Sequence, residues 1–168
     1  MTAVITVREL RGGRDLAAVG ALVLACSAAS LRRRFWVGGE PDPREILVRY
    51  ERFLVAGPPD GVALLGLVNG TPAGLLNFVP AAGRNVGDLG VLVGDPWQRR
   101  GLGGGLAGWL GRSGRWPGWT VRAAVQSGNI AAIGLLRQQG FRRVPTFESG
   151  QHDYELVLRK EADAAVTA

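Results

Sequence analysis

Short apolar runs alternate along the chain with longer segments in which apolar residues recur every three or four positions. The short runs predict strands at residues 4–10, 62–68, 72–79, 89–93, 119–125, 142–147 and 154–158. The periodic segments predict helices at residues 15–30, 42–54 and 129–139, with a further helix around Leu106, Trp109 and Leu110. The resulting order, β-α-α-β-β-β-α-β-α-β-β, predicts a mixed α/β fold in which helices cover a central sheet.

Local turn and capping signals fix the ends of several elements. Asn69-Gly70 lies between two apolar runs, which predicts a tight hairpin. Asp42 directly before Pro43 predicts a helix that Asp42 caps and in which Pro43 is the first residue. Asp15 is expected to cap the first helix.

The composition is that of an ordered globular protein, because 46% of the 168 residues are hydrophobic and 20% are charged. We expect one domain over residues 1–160 and a frayed tail at residues 161–168. The net charge of +6 is carried almost entirely by Arg. It favours a polyanionic ligand, without distinguishing nucleic acid, a membrane or a phosphorylated cofactor.

The sequence has one Cys and one His, which excludes a disulfide framework and argues against a zinc site. We therefore expect no metal, and a reducing, cytoplasmic location. A secretory leader is the alternative, since three arginines precede an apolar run at residues 16–29. That run is too short to span a bilayer, and Glu9 and Asp15 interrupt what should be a basic leader.

Residues 88–105 combine an apolar strand, a turn at Gly94-Asp95-Pro96 and a glycine-rich segment that leads into a helix. No Ser, Thr, Asp or Asn stands directly before that helix, so its first amides have no obvious cap. Glycines let a ligand approach the bare backbone. Such a helix start is a site for an anion, most often a phosphate.

Neighbouring residues exclude two known phosphate loops. A Walker A loop ends in Lys-Ser or Lys-Thr, and that pair is absent here. Residues 103–108 match the pattern G-x-G-x-x-G, but a dinucleotide site also needs an acidic residue about 20 positions further on. No Asp or Glu occurs between Pro96 and Phe147.

Two further matches lie in order along the chain. The first consists of Val93, Asp95, Trp97, Gln98, Arg100, Gly101, Leu102 and Gly103. The second is a helix that opens at Asn129 and closes at Gly140-Phe141. Together they resemble the GNAT superfamily of acetyltransferases, especially its bacterial members, which bind acetyl-coenzyme A. The resemblance covers residues 88–141 and implies a GNAT-like fold with a mostly antiparallel sheet.

The resemblance implies how acetyl-coenzyme A binds. Main-chain amides of residues 99–104 would hold the pyrophosphate, and the strand that ends at Val93 would pair with the pantetheine arm. The amide of Val93 would donate to the thioester carbonyl as an oxyanion donor. Gly103→Val is expected to block binding by placing bulk where the phosphate must approach. The implied cofactor-binding residues are Val91, Leu92, Val93, Gln98, Arg99, Arg100, Gly101, Leu102, Gly103, Gly104 and Asn129.

Acetyl transfer to an amine requires a proton acceptor, since an alkylammonium has a pKa of roughly 10.4. Asp88 stands where related sequences often carry Glu, so it is the candidate general base, and a surface carboxylate without a catalytic role is the alternative. Leu136 replaces a Tyr that often protonates the departing thiolate in this family. Tyr154 is a further candidate for that acid without support from its position, and the thiolate can also leave unaided.

The leading interpretation is an N-acetyltransferase that works by direct attack in a ternary complex. The acceptor is a primary amine of a small molecule, or a lysine or N-terminus of a protein. A coenzyme A-binding module without turnover is the alternative that Leu136 favours. A nucleic-acid-binding domain, suggested by Arg-Arg-Arg-Phe-Trp at residues 32–36, ranks below both. We expect no membrane partner, and a homodimer is left open.

Overall fold

The computed structural model describes residues 2–59 and 61–160, so the predicted frayed tail lies outside the described residues. Its strands are β1 (Ile5–Glu9), β2 (Val62–Val68), β3 (Thr71–Pro80), β4 (Val86–Val93), β5 (Thr120–Gln126), β6 (Arg142–Val144) and β7 (Gln151–Val157). Its α-helices are α1 (Leu16–Ala25), α2 (Ala28–Phe35), α3 (Pro43–Leu54), α4 (Leu102–Ser113) and α5 (Ile130–Gln138). Short 3-10 turns occupy Gly13–Asp15 and Asp95–Trp97.

The strands form one sheet in the order β1-β2-β3-β4-β5-β7-β6. Neighbouring strands are antiparallel except for β4 and β5, which run parallel. A parallel pair needs a crossover connection, and α4 provides it. The predicted mixed fold with a mostly antiparallel sheet is confirmed.

The two central strands separate from each other part of the way along. β4 pairs with β3 from Gly87 to Val93, but with β5 only from Val86 to Asp88. Beyond Asp88, the edge of β4 that faces away from β3 has no strand beside it among the described residues. We call the space next to residues 89–93 the gap.

Helices cover both faces of the sheet and define two cores. On one face, α4 and α5 bury Leu106, Leu136 and Tyr154 with residues from β2 to β7. On the other face, α1, α2 and α3 bury a second group that includes Leu22 and Leu92. The gap therefore lies between a face covered by α4 and α5 and a face covered by α1 to α3.

Two local predictions are confirmed. Asn69 and Gly70 both have positive φ angles, 49° and 81°, as the tight turn between β2 and β3 requires. Asp42 caps α3 by accepting a hydrogen bond from the amide of Arg44 at 2.9 Å, and Pro43 is the first helical residue.

The predicted helix at residues 15–30 is wrong, because the chain forms α1 and α2 with a break at Cys26-Ser27. Both residues at the break are extended, and Ser27 Oγ accepts a hydrogen bond from the amide of Ser30 as the cap of α2. Asp95, which is distant in the sequence, stabilises the break, because its carboxylate accepts a hydrogen bond from the amide of Ser27 at 2.9 Å. The observed order therefore has one helix more than the predicted order.

Asp15 also differs from the prediction. It precedes α1, but its side chain makes no capping hydrogen bond. Its carboxylate turns back and accepts hydrogen bonds from the amide of Arg11 at 2.8 Å and from the guanidinium of Arg8. These donors lower the pKa of the buried Asp15 carboxyl, although burial opposes the shift. Asp15 thus ties the end of β1 to the start of α1.

Among the described helices, none is long and apolar enough to cross a membrane alone. Gly13–Ala25 and Ala28–Phe35 together have the length and composition of a membrane-spanning segment, but the two helices are bent by 118° relative to each other.

Candidate functional site

The connection from β4 to α4 contains two residues with positive φ angles. Arg99 has a φ angle of 60° and Gly101 one of 83°, which is the left-handed region. Gly101 occupies the N-cap position of α4 and offers no side chain to cap it. The first hydrogen bond of the helix runs from the amide of Gly105 to the carbonyl of Gly101 at 3.0 Å.

The amides that precede this bond have no partner in the described part of the chain. None of residues 99–104 donates a main-chain hydrogen bond outside the helix, and no side chain accepts from them. Arg99 and Arg100 are exposed, and their charges add to the positive end of the helix dipole. We call residues 99–104 the amide loop. It can bind a phosphate through its main chain.

Gln98, directly before the amide loop, holds it in place. Its Nε2 donates to the carbonyl of Val93 and to the hydroxyl of Ser30, both at 3.0 Å. The Gln98 side chain therefore links β4 to α2, and its role is to position the loop rather than to offer its amide nitrogen to a ligand.

Asp95, in the turn between β4 and the amide loop, makes a second link to α2. Its carboxylate accepts hydrogen bonds from the hydroxyls of Ser27 at 2.7 Å and Ser30 at 3.2 Å. Partial burial raises the pKa of Asp95, but the hydrogen bonds from these serines outweigh it and lower the pKa overall. The amide loop and the start of α2 are thus one connected unit.

Gly103 lies close to side chains of α5 and β4. A Cβ at this position would lie 2.6 Å from Leu135 Cδ1 on α5 and 3.4 Å from Val93 Cγ2. The missing side chain therefore allows α4 to pack closely against α5 and β4. The effect of Gly103→Val on phosphate binding stays a prediction, and the Gly103 amide belongs to the amide loop.

The main chain of β4 faces β3 and the gap alternately. At the end of the strand, the amide of Gly94 donates to the carbonyl of Ala73 at 2.8 Å. Antiparallel pairs alternate between bonded and unbonded residues, and the register from this point is unbroken. The amides of Leu89, Val91 and Val93 therefore face the gap.

A ligand that contains amide groups can pair with these residues as another strand would. The carbonyl of Val93 is already used by Gln98, so Val93 offers only its amide. Leu92 does not fit its predicted role, since its main chain faces β3 and its side chain is 3% exposed in the second core. The pairing predicted for residues 91–93 is thus available at Val91 and Val93.

Asn129 lies at the start of α5, where its Oδ1 accepts a hydrogen bond from the amide of Ala132 at 3.3 Å. The amide nitrogen of the Asn129 side chain donates to no described residue. One side-chain atom thus caps the helix, and the other is available to a ligand.

Asp88 lies at the closed end of the gap, where β4 and β5 still pair. Its side chain is 64% exposed, and Oδ1 accepts from Nε of Arg122 at 3.2 Å. A strand rises about 3.3 Å per residue, so roughly 16 Å of strand separate Asp88 from Val93. A group bound against Val93 is beyond the direct reach of this carboxylate.

Tyr154 is 1% exposed, and its hydroxyl has no hydrogen-bond partner among the described residues. It lies opposite Ala123 of β5, on the face that α4 and α5 cover. Nδ1 of His152, two residues earlier on the same strand, is also buried without a described partner. Leu136 is a core residue with 4% exposure, and its hydrocarbon side chain has no proton to donate.

Arg34 and Asn77 form a contact that no sequence pattern predicts. The side chain of Arg34 turns inward over the sheet, where Nη2 donates to Oδ1 of the buried Asn77 at 3.3 Å. Phe35 is also buried, at 5% exposure. Residues 32–36 are therefore not a continuous exposed patch for nucleic acid. No local signal distinguishes Arg34 from its neighbours Arg32 and Arg33.

Among residues 2–59 and 61–160, no group of three or more His, Cys, Asp or Glu side chains could hold a metal ion.

Solved structures share this fold. The GNAT domain of S. lividans PAT is similar with a TM-score of 0.80 and 21% identity, covering 94% of this chain and 96% of that chain. The putative acetyltransferase yncA from Salmonella typhimurium, solved with its cofactor acetyl-CoA, has a TM-score of 0.65 and 24% identity over 94% and 96%. The ribosomal-protein-S18-alanine N-acetyltransferase from Escherichia coli has a TM-score of 0.63 and 18% identity over 94% and 96%.

No curated protein sequence matches this one. The profile of the acetyltransferase (GNAT) family, in contrast, matches residues 27–141. That range is more than half of the chain, and it contains α2, the gap, the amide loop and α5. The chain therefore belongs to the acetyltransferase (GNAT) family.

Proposed function

We propose that this protein is an N-acetyltransferase that moves an acetyl group from acetyl-coenzyme A to a primary amine by direct attack in a ternary complex. Acetyl-coenzyme A-dependent acetyl transfer follows from the family. The observation that carries the proposal for this chain is the amide loop, whose free amides begin where the gap ends. Pyrophosphate on the loop would leave the rest of the cofactor to lie along β4.

The gap supplies the electrostatic part of catalysis. The amide of Val93, or that of Val91, donates to the thioester carbonyl and stabilises the negative charge that develops on its oxygen during attack. A bond forms between the amine nitrogen and the carbonyl carbon, and the bond to sulfur breaks. The amine must lose a proton, and the sulfur leaves as a thiolate that can take one up.

Asp88 accepts the amine proton through water in this mechanism. Its exposure and its distance from Val93 along the strand rule out direct contact with an amine held at that end. Water can relay the proton along the open edge of β4, and Asp88 is the carboxylate at the other end of that edge.

Tyr154 is the proposed acid for the thiolate. A buried hydroxyl without a partner costs free energy, so a ligand atom that reaches it would bind favourably. At the end of the reaction the sulfur of coenzyme A is a thiolate, and this hydroxyl can donate a proton to it. A thiol pKa of about 8.5 makes this help moderate rather than essential.

Calorimetry followed by a turnover screen tests the proposed function. We expect acetyl-coenzyme A to bind to the free protein and to raise its melting temperature. We then expect coenzyme A release that depends on an added amine, over a panel of small amines and of peptides with free N-termini or lysines. Binding without release by any amine would favour the module without turnover, and no binding would contradict both.

A further inference from the structure

The guanidinium of Arg34 lies over the middle of β4, on the face that α1 to α3 cover. A Cβ added to Gly90 would overlap this guanidinium, so the glycine makes room for it. Its Nη2 donates to Oδ1 of Asn77, which is the β3 residue opposite Gly90, at 3.3 Å. Its Cζ lies 4.8 Å from the ring centre of Phe35. These contacts fix the position of the cation.

Nothing in the described part of the chain neutralises Arg34. Asn77 is neutral, and its side-chain nitrogen donates hydrogen bonds to the carbonyls of Phe53 and Leu54. Arg34 is half-buried, and the loss of water around its guanidinium lowers its pKa to about 10. Holding such a cation without a counter-ion costs stability. Other arginines of the described residues do form ion pairs with carboxylates, namely Arg8, Arg32, Arg115 and Arg122.

Arg34 lies next to the part of β4 that borders the gap. Gly90 lies between Leu89 and Val91, whose amides face the gap. The amide loop leads into α4 on the opposite face of the sheet. A cofactor that follows the loop and the gap would therefore not cover Arg34, which is partly exposed and could contact a second substrate.

We infer that Arg34 binds a carboxylate of the acceptor, and that the acceptors are amino acids or similarly small amines with a carboxylate a few bonds from the nitrogen. The inference rests on the proposed function. A guanidinium matches the two oxygens of a carboxylate with parallel hydrogen bonds. An ammonium group without an anion would be repelled by the same cation, so a lysine side chain is a poor acceptor.

The decisive experiment compares matched acceptors. Coenzyme A release is measured for each amino acid, for its carboxamide and for the amine that lacks the carboxyl group. For wild type we expect kcat/KM to be roughly 10- to 100-fold higher with the carboxylate, mostly through KM, as for hydrogen bonds to charged groups. Arg34→Gln should remove this preference, and Arg34→Lys should restore part of it. Arg33→Gln, an exposed neighbour on α2, should keep it.

A binding measurement separates this inference from the proposed function. With coenzyme A present, N-acetyl amino acids should raise the melting temperature of wild type but not of Arg34→Gln, and this holds whether or not turnover is found. A preference for amines without a carboxylate, or an unchanged preference in Arg34→Gln, would overturn the inference and leave N-acetyl transfer intact.

Discussion

Single polar residues in this protein differ in whether the protein supplies their hydrogen-bond partners. Asp95 and Gln98 are bonded on several sides to α2 and β4. The hydroxyl of Tyr154 has no described partner, and Arg34 has a neutral one. Substitution of the first kind should mainly change stability, and substitution of the second kind should mainly change function.

Tyr154→Phe tests the proposed acid. Removing a buried hydroxyl without a partner should leave the free energy of unfolding unchanged or raise it by up to about 1 kcal/mol. If the hydroxyl protonates the thiolate, kcat should fall by roughly 10-fold or more. Both quantities are measured on the same preparations of the variant and of the wild-type protein. An unchanged kcat would show that the thiolate leaves unaided.

Asp88→Asn tests the proposed base. It should leave affinity for acetyl-coenzyme A nearly unchanged and lower kcat/KM at neutral pH by roughly 10²-fold. The loss should shrink as the pH rises towards the amine pKa of about 10.4, where more of the amine is already neutral. A pH series of kcat/KM measures this, and Arg122→Gln is the control that removes the ion pair but keeps the carboxylate. Parallel profiles of equal height would exclude Asp88.

Asp15→Asn tests a structural carboxylate by pH. The folded-state pKa of Asp15 is lowered, so its contribution is present above the unfolded value of about 3.9 and is lost as the pH falls through the folded value. The variant should lose roughly 2 kcal/mol at pH 7 and nearly nothing once both states are protonated. Denaturant unfolding at several pH values measures this, with Asp42→Asn as control because Asn also caps helices well. A constant difference would contradict it.

At the scale of elements, the glycines of α4 differ in what surrounds them. Gly103→Val should destabilise the protein by about 1–3 kcal/mol or more, because the new side chain meets Leu135 on α5. Gly105→Ala should stabilise it by about 1 kcal/mol, since its Cβ meets nothing and Ala favours a helix. Thermal unfolding of both variants measures this. Equal effects would mean that α4 and α5 do not pack as described.

Elements with strong local signals could be predicted from the sequence. The Asn69-Gly70 turn and the start of α3 at Asp42-Pro43 depend on neighbouring residues only, and both were correct. The break between α1 and α2 could not be predicted, because the apolar run continues through it and Asp95, which holds Ser27, is distant in the sequence. The same limit applies to Arg34, whose partners lie on β3 and β4.

At the scale of the whole molecule, the fold class and the amide loop could be predicted, but the gap could not be located from this sequence alone. Residues 89–93 read as an ordinary apolar strand, and only the pairing register reveals which amides face β3 and which face the gap. For this reason Val91 and Val93 could not be distinguished from Leu92. Pairing between distant strands leaves no periodic trace in either strand.

The short contact between β4 and β5 has a consequence for cooperativity. It joins two antiparallel half-sheets, β1 to β4 and β5 to β7, by pairing over only Val86 to Asp88. A ligand in the gap would act as an inserted strand and couple the halves. Native-state hydrogen exchange should therefore show two opening units in the free protein and one in the complex with coenzyme A. If the free protein already opens as one unit, the helices alone hold its halves together.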